Sequence, residues 1–562
     1  MIERELARLV RDALASAASE IGLSRLPDQV EIVRPRQKEH GDFTTNVALA
    51  VGSSVGMDPR TVAYTILEHL PQTDFVARVE VAGPGFVNFY MAHVWLYGVL
   101  EEVERLGSTY GRIDVGSGEK VQVEFVSTNP TGPLHVGHGR NAAVGDSLAL
   151  VLQAAGFAVS REYYVNDAGT QIALFVESVE ARYLQHLGRE AEVPEGGYHG
   201  IYIAELAAAI AQDLGDSLVE LPEKERRARL HQEGIGRTLD GIKSTLERFG
   251  IRFDTWFHES ELRDSGRVAQ AVELLRERGL AYDADGATWF AATRFGDVKD
   301  RVLVRADGEP TYFASDCAYL REKFARGFDR LTYVWGADHH GTVKRLQGAA
   351  QAYGYDLDRI EFIITQLVAL YRGGEPVRMS KRTGDIVTLD ELIDEVGSDA
   401  ARYTLLTRST DTALDFDIDL VKRRSLDNPV YYVQYAHARI ASLLRFAAEQ
   451  GVGLEPFEKI RAEELVHETE LDLLRKIAEM PEQVQFAADA RAPYRLTRYA
   501  EELAAGFHRF YTECRVVTDD ADLTQARLHL SAAARQSIAN VLALLGVSAP
   551  ESMDRLAGED EA

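Results

Sequence analysis

The chain has 562 residues, 46% hydrophobic and 27% charged, an ordinary globular composition at a length that calls for roughly two to four domains rather than one core. Its 62 Lys and Arg against 88 Asp and Glu give a net charge of −26, which argues against a protein that coats nucleic acid without specificity but leaves room for a local basic track. No run of about 18 apolar residues could span a bilayer, the first residues lack a signal peptide's basic-then-apolar order, and Cys317 and Cys514 stand far apart outside any Cys-x-x-Cys pair; a reducing cytoplasm is expected, with no membrane partner, disulfide framework or cysteine zinc site.

In chain order, Ile2, Leu6, Leu9, Val10, Ala13, Leu14 and Ile21 recur at helical spacing before a stop at Gly22. Short β-type runs follow at Glu31-Ile32-Val33 and over 79–90, the latter broken by Gly83-Pro84-Gly85. Residues 1–112 thus read as a small α/β module, with glycines 107, 111, 116 and 118 marking its boundary. The alternation over 120–126 predicts a strand, a Pro/Gly loop leads to a helix from about Gly139 to Gln153, and 160–165 is a second strand. That order opens a nucleotide-binding α/β domain. From about 175 to 290 the pattern is mostly helical and charged and reads as an insertion; strands return at 301–304, 331–335 and 362–364. After 420 the β signals stop, and Leu496, Tyr499, Leu503, Phe507, Phe510 and Cys514 follow a helical period, so 421–562 is expected to be an all-α bundle ending in an acidic tail. The fold class is therefore multidomain α/β, with a parallel-sheet domain over 113–420.

Two motifs carry chemistry. His135-Val136-Gly137-His138 sits between the strand and its helix, where backbone N–H groups and the helix dipole favour phosphate, and Gly137 lets a flat ring approach the backbone. Two histidines at this spacing also suit a metal pair or a chance turn. Gly137-His138-Gly139-Arg140-Asn141-Ala142 fits the dinucleotide fingerprint with Glu162 downstream, but a loop containing Pro130 and Pro133 separates it from its strand. Arg378-Met379-Ser380-Lys381-Arg382-Thr383-Gly384 is a basic loop able to bring positive charge to a departing pyrophosphate.

In this order the motifs resemble the two signatures of class I aminoacyl-tRNA synthetases. The words from Glu124 to His135, Tyr164-Val165-Asn166-Asp167-Ala168-Gly169, Tyr312-Phe313-Ala314-Ser315-Asp316, Trp335-Gly336-Ala337-Asp338-His339-His340-Gly341, and Asn428-Pro429-Val430-Tyr431-Tyr432-Val433-Gln434-Tyr435 are similar to those of the arginyl enzymes. The resemblance implies a Rossmann-type catalytic domain and an ATP-dependent activation of arginine followed by transfer to tRNA(Arg). It assigns ATP to His135, Gly137, His138, Met379, Ser380 and Lys381, with His135, His138 and Lys381 catalytic. Mg2+ would accompany ATP without a dedicated protein site. Some family members lack the second-motif lysine and carry one just before the first motif; this chain has Gly132 there and keeps Lys381.

A guanidinium needs planar ionised acceptors, so Glu124 and Asp316, with Tyr312 alongside, are expected around it. Asn129, and by looser match Asn88 and His339, fall near the α-amino end; Asn88 equally suits capping a turn, and Glu124 a solvent-facing strand position. The C-terminal bundle resembles an anticodon-binding domain, where Tyr432 and Tyr435 could stack bases amid Lys422, Arg423, Arg424 and Arg439, although aromatics at that spacing are often core. The expected partners are tRNA, arginine and ATP, not DNA, with a monomer expected. A paralogue that keeps tRNA binding but has lost catalysis is disfavoured, because both motifs are intact.

Overall fold

The computed structural model describes residues 2–35, 37–377 and 387–553, which fall into two compact units. The first takes the described residues of 1–110, 440–481 and 505–537; the second takes those of 111–439, 482–504 and 538–553.

In the first unit the order is α1 (Ile2–Ala17), β1 (Phe43–Thr45), α2 (Val47–Val55), α3 (Pro59–His69), β2 (Val76–Ala82), β3 (Phe86–Met91) and α4 (His93–Leu106). The apolar stripe of α1, Leu6, Leu9, Val10, Ala13 and Leu14, is buried against Phe43, Val62, Ile66, Val87 and Phe89, as its helical period requires. The α1 helix ends at Ala17, before Gly22. Gly83-Pro84-Gly85 turns β2 back on β3 in an antiparallel sheet of order β1-β3-β2, and Val33 contributes only an isolated bridge to Thr44. Helix α3 starts sharply because Asp58 accepts from Thr61 N at 3.2 Å with Pro59 in the first turn.

The second unit opens with β4 (Lys120–Glu124), α5 (Val136–Ala154), β5 (Ala158–Val165), α6 (Thr170–His186), α7 (Ile201–Leu214), α8 (Glu223–Arg248), β6 (Thr255–His258), α9 (Glu259–Asp264), α10 (Arg267–Glu277), β7 (Ala281–Ala284), β8 (Ala287–Phe290) and β9 (Arg301–Val304). It continues through α11 (Tyr312–Ala325), β10 (Arg330–Gly336), α12 (His340–Ala352), β11 (Ile360–Thr365), β12 (Val368–Arg372), β13 (Glu375–Pro376), α13 (Leu389–Val396), α14 (Ser398–Leu406) and β14 (Leu414–Asp417). Beyond β14 the described chain is helical: α15 (Ile418–Lys422), α16 (Pro429–Glu449), α17 (Glu468–Ala478), α18 (Met480–Asp489), α19 (Tyr494–Glu513) and α20 (Ala521–Leu544). Cys317 and Cys514 are both buried free thiols. No helix of the described residues is long and apolar enough to cross a membrane.

The central sheet is wholly parallel, in the order β11-β10-β4-β5-β6. From β4 the chain moves to β5 and β6 on one side and only later to β10 and β11 on the other, so the topological switch point lies between β4 and β10. Ligands of open α/β sheets bind at the carboxyl ends of strands flanking such a point. Residues 175–290, although mostly helical, also supply β6 to this sheet and β7 and β8 to a small antiparallel sheet with β9.

Helix α5 packs closely on the sheet: a Cβ on Gly145 would lie 2.2 Å from the Phe125 ring. The next residue, Asp146, pairs with the fully buried Arg402 at 2.6 Å and with Arg161 of β5 at 3.0 Å, while Arg402 also donates to Leu545 O and Phe249 O. Removing one member would leave an uncompensated buried charge, a loss of about 3–5 kcal/mol. This node fixes the helix whose N-terminus carries His135-Val136-Gly137-His138.

Candidate functional site

His135 is the N-cap of α5, so the helix begins at Val136 rather than near Gly139. Gly137 N–H donates to His135 Nδ1 at 3.1 Å, and His135 N–H donates to His138 Nδ1 at 3.2 Å. The rings stack with centroids 3.5 Å apart and planes 24° from parallel. With both Nδ1 atoms accepting, each neutral ring carries its proton on Nε2, a donor at the positive end of the helix dipole. A Cβ on Gly137 would sit 3.0 Å from His135 Cε1, so this glycine makes room for the imidazole of its own motif.

The second motif, with Met379, Ser380 and Lys381, lies outside the described residues, as does the acidic tail. The described residues that follow the motif meet the first signature: Leu389 N–H donates to Leu134 O at 2.8 Å, and Thr388 forms an isolated bridge with His135. Helix α13 starts there with a capping box of Thr388 and Glu391. Gly132, just upstream, faces Tyr202 of α7: a Cβ there would be 3.1 Å from the ring.

Between β4 and the first motif the backbone is strained. Val126 and Ser127 have φ of 65° and 41°, costly for a β-branched residue and sustained only where surroundings over-determine them. Val126 N–H donates to Asn141 Oδ1 at 2.6 Å, and Asn141 Nδ2 donates to Val334 O at 2.8 Å, which ties the ends of β4 and β10 together. Ser127 Oγ accepts from Tyr164 N at 3.1 Å, and the Tyr163 hydroxyl accepts from Thr128 N at 3.2 Å and donates to Thr128 O at 3.1 Å. The strain ends β4 at Glu124, two residues short of the sequence expectation.

Beside this loop lies a cluster of carboxylates. Glu124 is buried at 4% exposure and accepts on Oε2 from Lys323, itself fully buried on α11. Glu259, the first residue of α9, accepts from Arg263 at 2.9 Å and from Ser315 Oγ at 3.0 Å. Asn166, oriented with its amide nitrogen toward Glu259 Oε2, donates at 2.9 Å. Asp167 holds α9 in place by accepting from Ser260 N at 3.0 Å, Ser260 Oγ at 2.8 Å and His258 Nδ1 at 2.9 Å. Asp316, half-buried on α11, has no hydrogen bond among the described residues. Burial, then the Glu259 and Glu124 carboxylates, push it up from 3.8 to about 7, against the pull of Arg345 and Lys323. Burial and the carboxylates of Glu259, Asp316 and Glu124 likewise drive the Tyr164 hydroxyl well above its ordinary range. Tyr312 is 40% exposed, and a Cβ on Gly169 would lie 2.6 Å from its hydroxyl.

Glu124 and Asp316 are thus brought into one electrostatic environment, and Tyr312 packs over the Asn166–Gly169 turn. Asn129 donates to Gln171. His339 follows β10 on the far side of the switch point, with Nε2 3.7 Å from Asp338. Asn88 belongs to the first unit, where it is buried mid-β3 and accepts from Thr44 Oγ1 at 2.7 Å. Glu162 is engaged by Tyr319 and by both Arg326 Nη atoms at 2.5 and 2.8 Å, so it cannot serve as the ribose acceptor of a dinucleotide fingerprint. Glu259 and Lys323 were missed from sequence; the available signal was the polar stripe Asp316, Tyr319 and Lys323 on one face of α11.

In the C-terminal segment, Tyr432 is half-buried, whereas Tyr435 is 7% exposed and stacks on Tyr431 with centroids 6.0 Å apart. The Arg439 guanidinium lies 5.8 Å from the Tyr435 ring. Lys422, Arg423 and Arg424 are exposed, and Lys422 shares Glu395 with Arg372.

Comparison with known proteins gives this geometry a context. The family model described as tRNA synthetases class I (R), catalytic domain, matches residues 104–419. That of the arginyl tRNA synthetase N terminal domain matches 4–91, and that of the DALR anticodon binding domain matches 433–553. The chain is 51% identical to an arginine–tRNA ligase of Carboxydothermus hydrogenoformans, covering 97% of this chain and 98% of the relative. It is 52% identical to one of Moorella thermoacetica, with 98% and 99% covered. The solved arginyl-tRNA synthetase of Thermus thermophilus, 23% identical, has the same fold, with a TM-score of 0.75 over 98% of this chain and 100% of that one.

Proposed function

Because the chain belongs to the arginyl-tRNA synthetase family, whose reaction joins arginine to tRNA at the expense of ATP, we propose a division of that reaction among the residues at the β4/β10 switch point. An arginine carboxylate oxygen attacks the α-phosphorus of ATP and pyrophosphate leaves. The 2′-hydroxyl of the terminal adenosine of tRNA(Arg) then attacks the adenylate carbonyl and AMP leaves. The chemistry is positioning and charge stabilisation. His135 and His138 donate from Nε2 to phosphate oxygens as charge builds, Gly137 admits the adenine, Lys381 holds the β- and γ-phosphates, and Met379 and Ser380 bind ATP. Mg2+ enters with ATP; among the described residues no group of three or more His, Cys, Asp or Glu side chains suits a metal ion.

Asp316 and Glu124 receive the guanidinium with Tyr312 against its edge, and Asn129 and His339 serve the α-amino end. The single observation that carries this reading is the half-buried Asp316 carboxyl, without a hydrogen bond among the described residues and crowded by Glu124 and Glu259: a site built to be completed by a cation. The helical C-terminal segment takes the anticodon, with Tyr432 and the basic 422–424 stretch on the RNA, and the N-terminal module the outer corner of the tRNA. The setting is the cytoplasm and the working form a monomer. The test of these roles is charging of tRNA with labelled arginine by His138→Ala: a drop of ~10²-fold in adenylate formation with unchanged arginine affinity is expected, and an undiminished rate would remove His138 from the phosphate site.

A further inference from the structure

The pocket holds more charge than its substrate alone can balance. Glu124, Glu259 and Asp316 bring three carboxylates, and Arg263 on Glu259 answers one of them. Lys323 answers a second: its ammonium donates to Glu124 Oε2 with neither group open to solvent. It is also sandwiched by aromatic faces, 3.9 Å from the Tyr333 ring centroid and 4.4 Å from that of Tyr319. Glu162 and Arg326 lie next to it but satisfy each other as a bidentate pair, and Arg345 acts on Asp316 from α12 with no hydrogen bond to it among the described residues. With Glu259 paired to Arg263 and Glu124 to Lys323, Asp316 is the carboxylate of the three without a hydrogen-bonded cation among the described residues, the one left for a substrate guanidinium.

We propose that Lys323 is a specificity-determining positioning residue of the arginine pocket: its ammonium occupies Glu124 Oε2 and fixes the carboxylate in place, leaving Oε1, which has no hydrogen bond among the described residues, for the substrate guanidinium. The proposal rests on the reading that Glu124 meets the guanidinium. A buried ammonium is costly unless paired, and burial pulls this one downward against the Glu124 and Glu162 carboxylates that support it; a core needing only bulk there would be better served by Met or Leu. Its position on α11, seven residues from Asp316, puts both charges on one helix face, so Lys323 and Asp316 reach the strand ends together. With Lys323 gone, Glu124 would be a buried carboxylate without its ammonium partner and would no longer be held in the orientation that meets a guanidinium.

The experiment compares Lys323→Met, Glu124→Gln and the double variant in tRNA-supplemented ATP–pyrophosphate exchange, with KM measured separately for arginine and ATP. Lys323→Met is expected to raise the arginine KM by about 100-fold at pH 7 and to leave the ATP KM unchanged. The double variant should be no worse than Glu124→Gln. An arginine KM within twofold of the parent for Lys323→Met, or an equal rise in the arginine and ATP KM values, would overturn the proposal, whereas a parental KM for Glu124→Gln would instead remove Glu124 from the guanidinium site. Should Lys323→Met not fold, the parent labelled with 15N at the lysine side chains keeps the test: the Lys323 ammonium signal, identified through its contacts with Tyr319 and Tyr333, must move on saturation with arginine, and a signal that stays still overturns the proposal.

Discussion

Arginine affinity should depend on pH through Asp316. In the unliganded protein burial, Glu259 and Glu124 push this carboxyl from 3.8 to about 7, and a guanidinium can pair only with its ionised form. Binding must therefore expel whatever proton Asp316 holds: affinity is level above neutrality and falls about tenfold for each pH unit below it. From pH 7.5 to 5.5 the dissociation constant should rise roughly 25-fold, and at pH 6.5 about three-quarters of a proton should be released per arginine bound. The sign for stability is opposite to that of an ordinary paired carboxylate. Because the folded pKa is raised, Asp316 contributes nothing adverse below about pH 3.8 and an increasing penalty up to about 7. Asp316→Asn should remove that penalty, stabilising the empty protein at pH 8 by ~2–4 kcal/mol while weakening arginine by ~2–5 kcal/mol. The assay is calorimetric titration of arginine in two buffers of different ionisation enthalpy, with thermal unfolding of parent and variant alongside. A dissociation constant unchanged between pH 5.5 and 7.5 with no proton release would refute the reasoning, as would a variant that binds arginine as the parent does.

Three further outcomes are expected. Lys381→Ala should slow adenylate formation by ~10²-fold or more without altering tRNA binding, and unchanged single-turnover activation would exclude it from the mechanism. Gly137→Ala, whose Cβ would press on His135 at 3.0 Å, should slow activation while sparing the arginine KM; a KM effect with normal turnover would contradict the assigned division between phosphate and amino-acid sites. Tyr432→Ala should cost tRNA binding ~1–3 kcal/mol, whereas Tyr435→Ala, at a buried position, should lower the melting temperature through a loss of ~3–5 kcal/mol; gel-shift titration and thermal unfolding separate the two, and the reverse assignment would show the base platform to lie on Tyr435.

What could be read from the sequence is what depends on local spacing. The stripe of α1, the Gly83–Gly85 turn between β2 and β3, and the helix start behind His135-Val136-Gly137-His138 are written within a few residues of one another. Features set by distant partners were not legible. The alternation over 120–126 predicts a strand through Val126, but Asn141 and Tyr163 hold the loop beginning at Val126 in positive φ and end β4 early. Strand β6 lies in a stretch whose charge and helical period mask four residues that find their pairing only against β5. Asp316 and Glu124 stand out as carboxylates in apolar runs, yet Glu259 and Lys323 look like ordinary surface charges until α9 and α11 are docked at the strand ends. Tyr432 and Tyr435 look alike in the sequence, but in the fold Tyr435 is buried and stacks on Tyr431, whereas Tyr432 is half-buried.

The central claim is that the carboxylates at the switch point of the parallel sheet select a guanidinium for activation by ATP. ATP–pyrophosphate exchange over all twenty amino acids, with and without total tRNA, tests it most directly. Exchange with arginine alone, required or strongly stimulated by tRNA, is the predicted result; robust exchange with lysine or any other amino acid in place of arginine would contradict it.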